Sequence, residues 1–202
     1  MPGNQVAPRF LPILVILALA AFSRVEAQQT PDSTSKMSGA VYRSGLEQKT
    51  FSLINQYRKS HELPLLAWDD SIAKVARAHS KDMATGEVDF GHEGFSDRIS
   101  YLKTVMTGLW GAGENVLMTS EPDQVAQRAV ALWLRSPHHL ENIRGDFNYS
   151  GLGVWQNKNG AIYFTQIFVK IRTPAEETEA DPMPSVITTF GMLTTPNTRA
   201  RP

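Results

Sequence analysis

Residues 161–170, AIYFTQIFVK, are apolar at almost every position, and this run constrains the fold more than any other stretch. A strand whose apolar residues alternate can leave one face in water, whereas one that is apolar throughout has to be covered on both faces. The segment before it, YSGLGVWQ (149–156), is also rich in β-branched and aromatic residues, and NKNG (157–160) joins the two with turn chemistry. A β-hairpin with a central second strand is expected.

Amphipathic helices supply the covering layers. From Gly45 the sequence GLEQKTFSLINQYRKS puts Leu46, Leu53, Ile54 and Tyr57 on one face at helical spacing. ELPLLAW crosses over, Pro64 disfavouring helix, and Asp69 or Asp70 caps SIAKVARAHSKDMATG. The apolar stripe of that segment is Ile72, Val75, Ala76, His79 and Met83, with Gly86 as its terminator. A loop VDFGHEGF follows, then a short helix near SDRISYLKTV capped by Ser96, a glycine-rich turn GLWGAG, and GENVLM. EPDQVAQRAVALWLRS is a further strong helix, with Val125, Ala126, Ala129, Val130 and Trp133 on one side. Ser136 before Pro137 reads as cap and first turn of PHHLENI, the serine oxygen accepting a backbone N–H. Helices on both sides of a small antiparallel sheet make an α+β protein, a three-layer α/β/α sandwich.

Residues 1–27 stand apart. LPILVILALAAF is too short to span a membrane and is followed by VEA, the small-x-small pattern of a signal-peptidase site, so cleavage near Ala27 and a secreted or periplasmic destination are expected. No later segment approaches spanning length. Residues 28–44 are polar and read as a flexible lead-in, 45–172 as the domain, and 173–202 as a Pro/Thr-rich disordered tail. The chain carries 20 basic and 20 acidic residues. That neutrality argues against nucleic acid and anionic membrane surfaces, both of which need a basic patch. The absence of cysteine excludes disulfides, thiolate catalysis and thiolate zinc sites, and leaves stability to packing.

Three residues stand out as candidate chemistry: His92 in DFGHEGF, Glu114 in GAGENV and His139 in SPHHLENI. Their spacing matches no local metal motif, so only the fold can unite them. NQYR, LPLLAWDDSIAKVARAHSKDM, FGH, GEN, W-x-x-SPHH-x-x-N-I, GLGV and YFTQIF occur in this order between about Gly45 and Lys170. On these motifs the chain resembles the CAP superfamily (cysteine-rich secretory proteins, antigen 5 and pathogenesis-related proteins, or SCP domains), in its cysteine-free bacterial form. The resemblance implies the CAP/SCP fold and a ligand-binding cleft lined by His92, Glu114 and His139. A second cleft glutamate common in the family is Ser136 here, which leaves one carboxylate and weakens a two-carboxylate acid/base mechanism.

Two imidazoles and a carboxylate suit zinc or another divalent ion, with His92 and His139 as the metal ligands, although no cofactor is required. No serine, threonine or cysteine has a nucleophile's context, so no catalytic residue is assigned. His79 reads as a hydrogen-bonded core histidine, His61 and His138 as surface residues, and Trp133, Trp155 and Phe164 as core. Asn55 and Arg58 read as ties between loops and the first helix, and Asn142 as a bond to its neighbours. GAG lacks the strand and third glycine of a phosphate loop. The expected function is a monomeric secreted binding module for a small apolar ligand or a peptide. The alternatives are a metal-dependent hydrolase with Glu114 as base, and an adhesive surface protein using the tail.

Overall fold

The computed structural model describes residues 33–172 and 192–194. The expected leader, its cleavage at Ala27 and most of the expected tail lie outside them. Five helices and five strands are described, beginning with α1 (Ser33–Ser60), β1 (Ala67–Trp68), α2 (Asp70–Thr85), α3 (Phe95–Val105) and β2 (Leu109–Thr119). They continue with α4 (Val125–Arg135), α5 (Pro137–Arg144), β3 (Tyr149–Gln156), β4 (Ile162–Ile171) and β5 (Met192–Thr194).

The sheet order is β1-β3-β4-β2-β5, so the all-apolar strand is its centre. β3 and β4 pair antiparallel from Tyr149 opposite Val169 to Gln156 opposite Ile162, which is the expected hairpin. β2 pairs antiparallel with the other edge of β4, and the short β1 and β5 add parallel to β3 and β2. One face packs Ile167, Val169 and Ala112 against Ile72, Val75 and Ala76 of α2 and Phe95, Ile99 and Leu102 of α3. The other packs Leu117, Phe164 and Phe168 against Ile54 of α1, Trp133 of α4 and Ile143 of α5. This is the three-layer α/β/α sandwich. Gly151 and Gly153 let α2 lie directly on β3, since a Cβ at either would strike the backbone of Ala73 or Arg77.

α2 is capped as its sequence requires. The Asp69 carboxylate accepts from Ile72 N, and Gly86 ends the helix at φ 79°.

Five expectations need correction. Residues 33–44, read as a flexible lead-in, are the first turns of α1, and the Arg43 guanidinium lies 4.3 Å from the centre of the Trp155 ring. Trp155, read as core, is accordingly only half-buried, its ring near Arg43 of α1 and Lys81 of α2, whereas Trp133 and Phe164 are fully buried. Of GLWGAG only Gly108 keeps the turn, at φ 75°, and residues 109–113 are strand. Gly113 there faces Asn142 and Phe147, leaving no room for a side chain, so this glycine serves close packing. α3 begins from Gly94, not Ser96. Ser136 does hold the N-cap position of α5, but its hydroxyl makes no cap bond, and Pro137 removes one donor that would need it. In addition, Met192–Thr194, within the expected disordered tail, pairs with Val116–Met118.

Candidate functional site

Strand alternation governs the site. Glu114 and Asn115 are consecutive on β2 and so face opposite layers. Glu114 points toward α3, where its fully buried carboxylate takes three charge-assisted bonds. Arg98 Nε donates to Oε2 at 3.0 Å, Arg98 Nη2 to Oε1 at 2.8 Å, and His92 Nδ1 to Oε1 at 2.9 Å. An ionised carboxylate only accepts, so the His92 proton sits on Nδ1. The His92 and Arg98 side chains are 7% and 13% exposed, so the cluster meets solvent only at its rim.

The turn before α3 holds Arg98 in place. Gly94 takes φ 72°. The carbonyls of Glu93 and His92 accept from Nη1 at 2.8 Å and Nη2 at 3.5 Å. Arg98 belongs to no metal-ligand or nucleophile pattern in the sequence. The available signal is its place on the inner edge of α3, next to Ile99 and between Phe95 and Leu102, all three buried. An arginine there needs buried acceptors, which the Glu114 carboxylate supplies.

His139 approaches β2 from the other layer. Its carbonyl accepts from Asn115 Nδ2 at 3.1 Å, and its buried ring lies 6.4 Å from that of Trp133. Asn142 donates to the Glu114 carbonyl at 3.1 Å and to Asn115 Oδ1 at 2.9 Å, clamping the strand. The structure therefore joins His92 to Glu114 directly and places His139 against the neighbouring residue. Glu114 and His139 are fully buried, a different situation from the open cleft wall expected.

The remaining polar assignments hold. His79 is buried and donates from Nε2 to the Gly91 carbonyl at 2.8 Å. Burial is the main cause that lowers its pKa below the ordinary 6.5, opposed by Glu114 and reinforced by Arg98. Asn55 ties both its amide groups to Leu66, and Arg58 donates to the carbonyls of Pro64, Ile143, Gly145 and Phe147. His61 and His138 are exposed.

A groove of about 490 Å³ opens between α2 and α3. Val75, Ala78, Val88 and Tyr101 supply apolar wall, Asp82, Glu93 and Asp97 supply carboxylates, and Arg98 links it to Glu114 behind. Its lining stops short of His92, Glu114 and His139. For a metal, the donors fit poorly. Among the described residues no three His, Asp or Glu side chains are grouped to hold an ion. Both oxygens of Glu114 are already bonded to a guanidinium.

The family model described as CAP, the cysteine-rich secretory protein family, matches residues 51–168. The chain belongs to the CAP family. This CAP domain is similar to the uncharacterised protein YkwD of Bacillus subtilis, 29% identical over 145 residues that cover 71% of this chain and 53% of YkwD. It is also similar to an extracellular SCP-domain protein of Bacillus anthracis, with 34% identity and TM-score 0.54 over 70% of this chain and 45% of that one. The chain thus spans about half the length of these relatives. An outer surface protein of Borrelia burgdorferi, 22% identical with TM-score 0.51 over 60% of this chain and 90% of that one, shares the fold. No helix among the described residues is long and apolar enough to cross a membrane.

Proposed function

We propose that this CAP domain is a secreted binding module that takes a small peptide-like or lipid-like ligand in the groove between α2 and α3. The groove itself carries the reading: it is large enough for a few side chains or a short acyl segment and has apolar walls to desolvate them. Its carboxylates favour a ligand bearing a positive or hydrogen-bond-donating group over an anionic one. In this reading Glu114 and His92 are the polar wall behind Arg98, and His139 fixes the same strand from the far side. Secretion is supported by the apolar leader sequence and by the extracellular relative from Bacillus anthracis.

The test is native mass spectrometry of protein purified from its own host, beside the variant Ala78→Trp. Ala78 is exposed and lines the groove, so the indole should fill it without touching the core. Wild type should carry a co-purifying mass that the variant lacks. Equal loading of the two proteins would remove the groove as the binding site.

A further inference from the structure

We propose that Arg98 is a built-in counter-cation for the buried carboxylate of Glu114, so that Glu114 orients His92 and does not serve as a metal ligand. A carboxylate with no exposed surface needs a positive partner, and beside an imidazole a divalent ion is one candidate. Here the chain supplies the charge itself. The guanidinium meets both oxygens of Glu114 in the fork geometry that arginine forms with carboxylates. It is also not free to swing away, because the Glu93 carbonyl holds its third nitrogen at 2.8 Å.

A zinc ion using Glu114 would have to come within about 2.0–2.2 Å of an oxygen on a buried carboxylate that already accepts three bonds, while standing beside a fixed positive charge. His92 completes the arrangement. Its Nδ1 proton is given to Oε1, which fixes the tautomer and the plane of the ring. The order of control therefore runs from the turn at Gly94, through Arg98 and Glu114, to His92. Arg98 is a positioning residue. This inference is independent of what fills the groove.

Zinc titration by calorimetry, with NMR of the Arg98 Nε–H, tests it. In wild type that proton should be protected from exchange and unmoved by zinc, and Glu114→Gln should leave the apparent zinc affinity unchanged. Arg98→Met should raise zinc affinity about tenfold or more, the scale on which groups behind a metal ligand act. The gain should vanish when Glu114→Gln is added. The proposal is overturned if stoichiometric zinc shifts the Arg98 signal in wild type, if Glu114→Gln weakens wild-type zinc binding, or if a folded Arg98→Met gains nothing. Should Arg98→Met not fold, the two wild-type comparisons decide alone.

Discussion

Glu47 and Glu114 are both buried glutamates, each gripped by an arginine, and they do different work. Glu47 takes Arg77 Nε on both oxygens, at 3.0 and 2.9 Å, Nη2 at 2.7 Å, and the backbone N–H of Val154 at 3.1 Å. Glu114 takes Arg98 and His92. The ion pair is common to both, and the third partner differs: a strand N–H in one, an imidazole ring in the other. A buried glutamate–arginine pair therefore does not mark a functional site by itself. What separates the two is the company it keeps, since Arg77 is 40% exposed while Arg98 is 13% exposed and borders the groove.

The comparison predicts unequal costs for losing the cation. Arg98→Met strands a buried carboxylate and should destabilise the domain by about 3–5 kcal/mol in urea denaturation. Arg77→Met should cost about 2 kcal/mol, because water can reach the place its half-exposed head leaves. Equal losses would erase the distinction.

Acid sharpens it further. His79 stands in the field of Glu114, Arg98 and His92, and burial lowers its folded pKa below 6.5. The unfolded chain then takes up that proton first as the pH falls. This contribution leaves stability intact above about pH 6.5 and erodes it as the pH falls through the folded value. Thermal melting at about pH 7.5 and about pH 5 should show the loss, with a smaller slope in His79→Gln, whose amide can still donate to Gly91. A slope unchanged by that substitution would move the acid sensitivity elsewhere.

The smallest effect belongs to the surface histidines. His138→Ala should change stability by no more than about 0.5 kcal/mol and leave the groove's loading untouched. A larger loss would mean that His138, and not only the buried His139 beside it, belongs to the site.

Where apolar periodicity and turn chemistry governed, the fold was legible: the β3–β4 hairpin, α2 with its Asp69 cap, and the inner face of α4 follow from the residues. α1 shows why the reading stops short. Its fully buried line runs Glu47, Thr50, Ile54 and Arg58, so polar residues occupy the inner face, while Leu46, Leu53 and Tyr57 flank it half-buried. A hydrophobic pattern cannot see a stripe built from buried polar side chains. β2 was missed for the opposite reason, since Gly111 and Gly113 read as a turn although Gly113 is there for close packing. The site was half legible. His92 and Glu114, both singled out in the sequence, bond each other, but Arg98 is invisible to a search for metal ligands and nucleophiles, because its part is to neutralise.

The Glu47–Val154 bond has one more consequence. β1 shields only Tyr149 and Ser150, so further along β3 a backbone donor would otherwise face outward. An uncovered donor on a rim strand is a template on which a second molecule can add, the first step of edge-to-edge aggregation. Glu47 covers that donor from α1, and Glu47→Ala should betray itself in light scattering before it does so in binding.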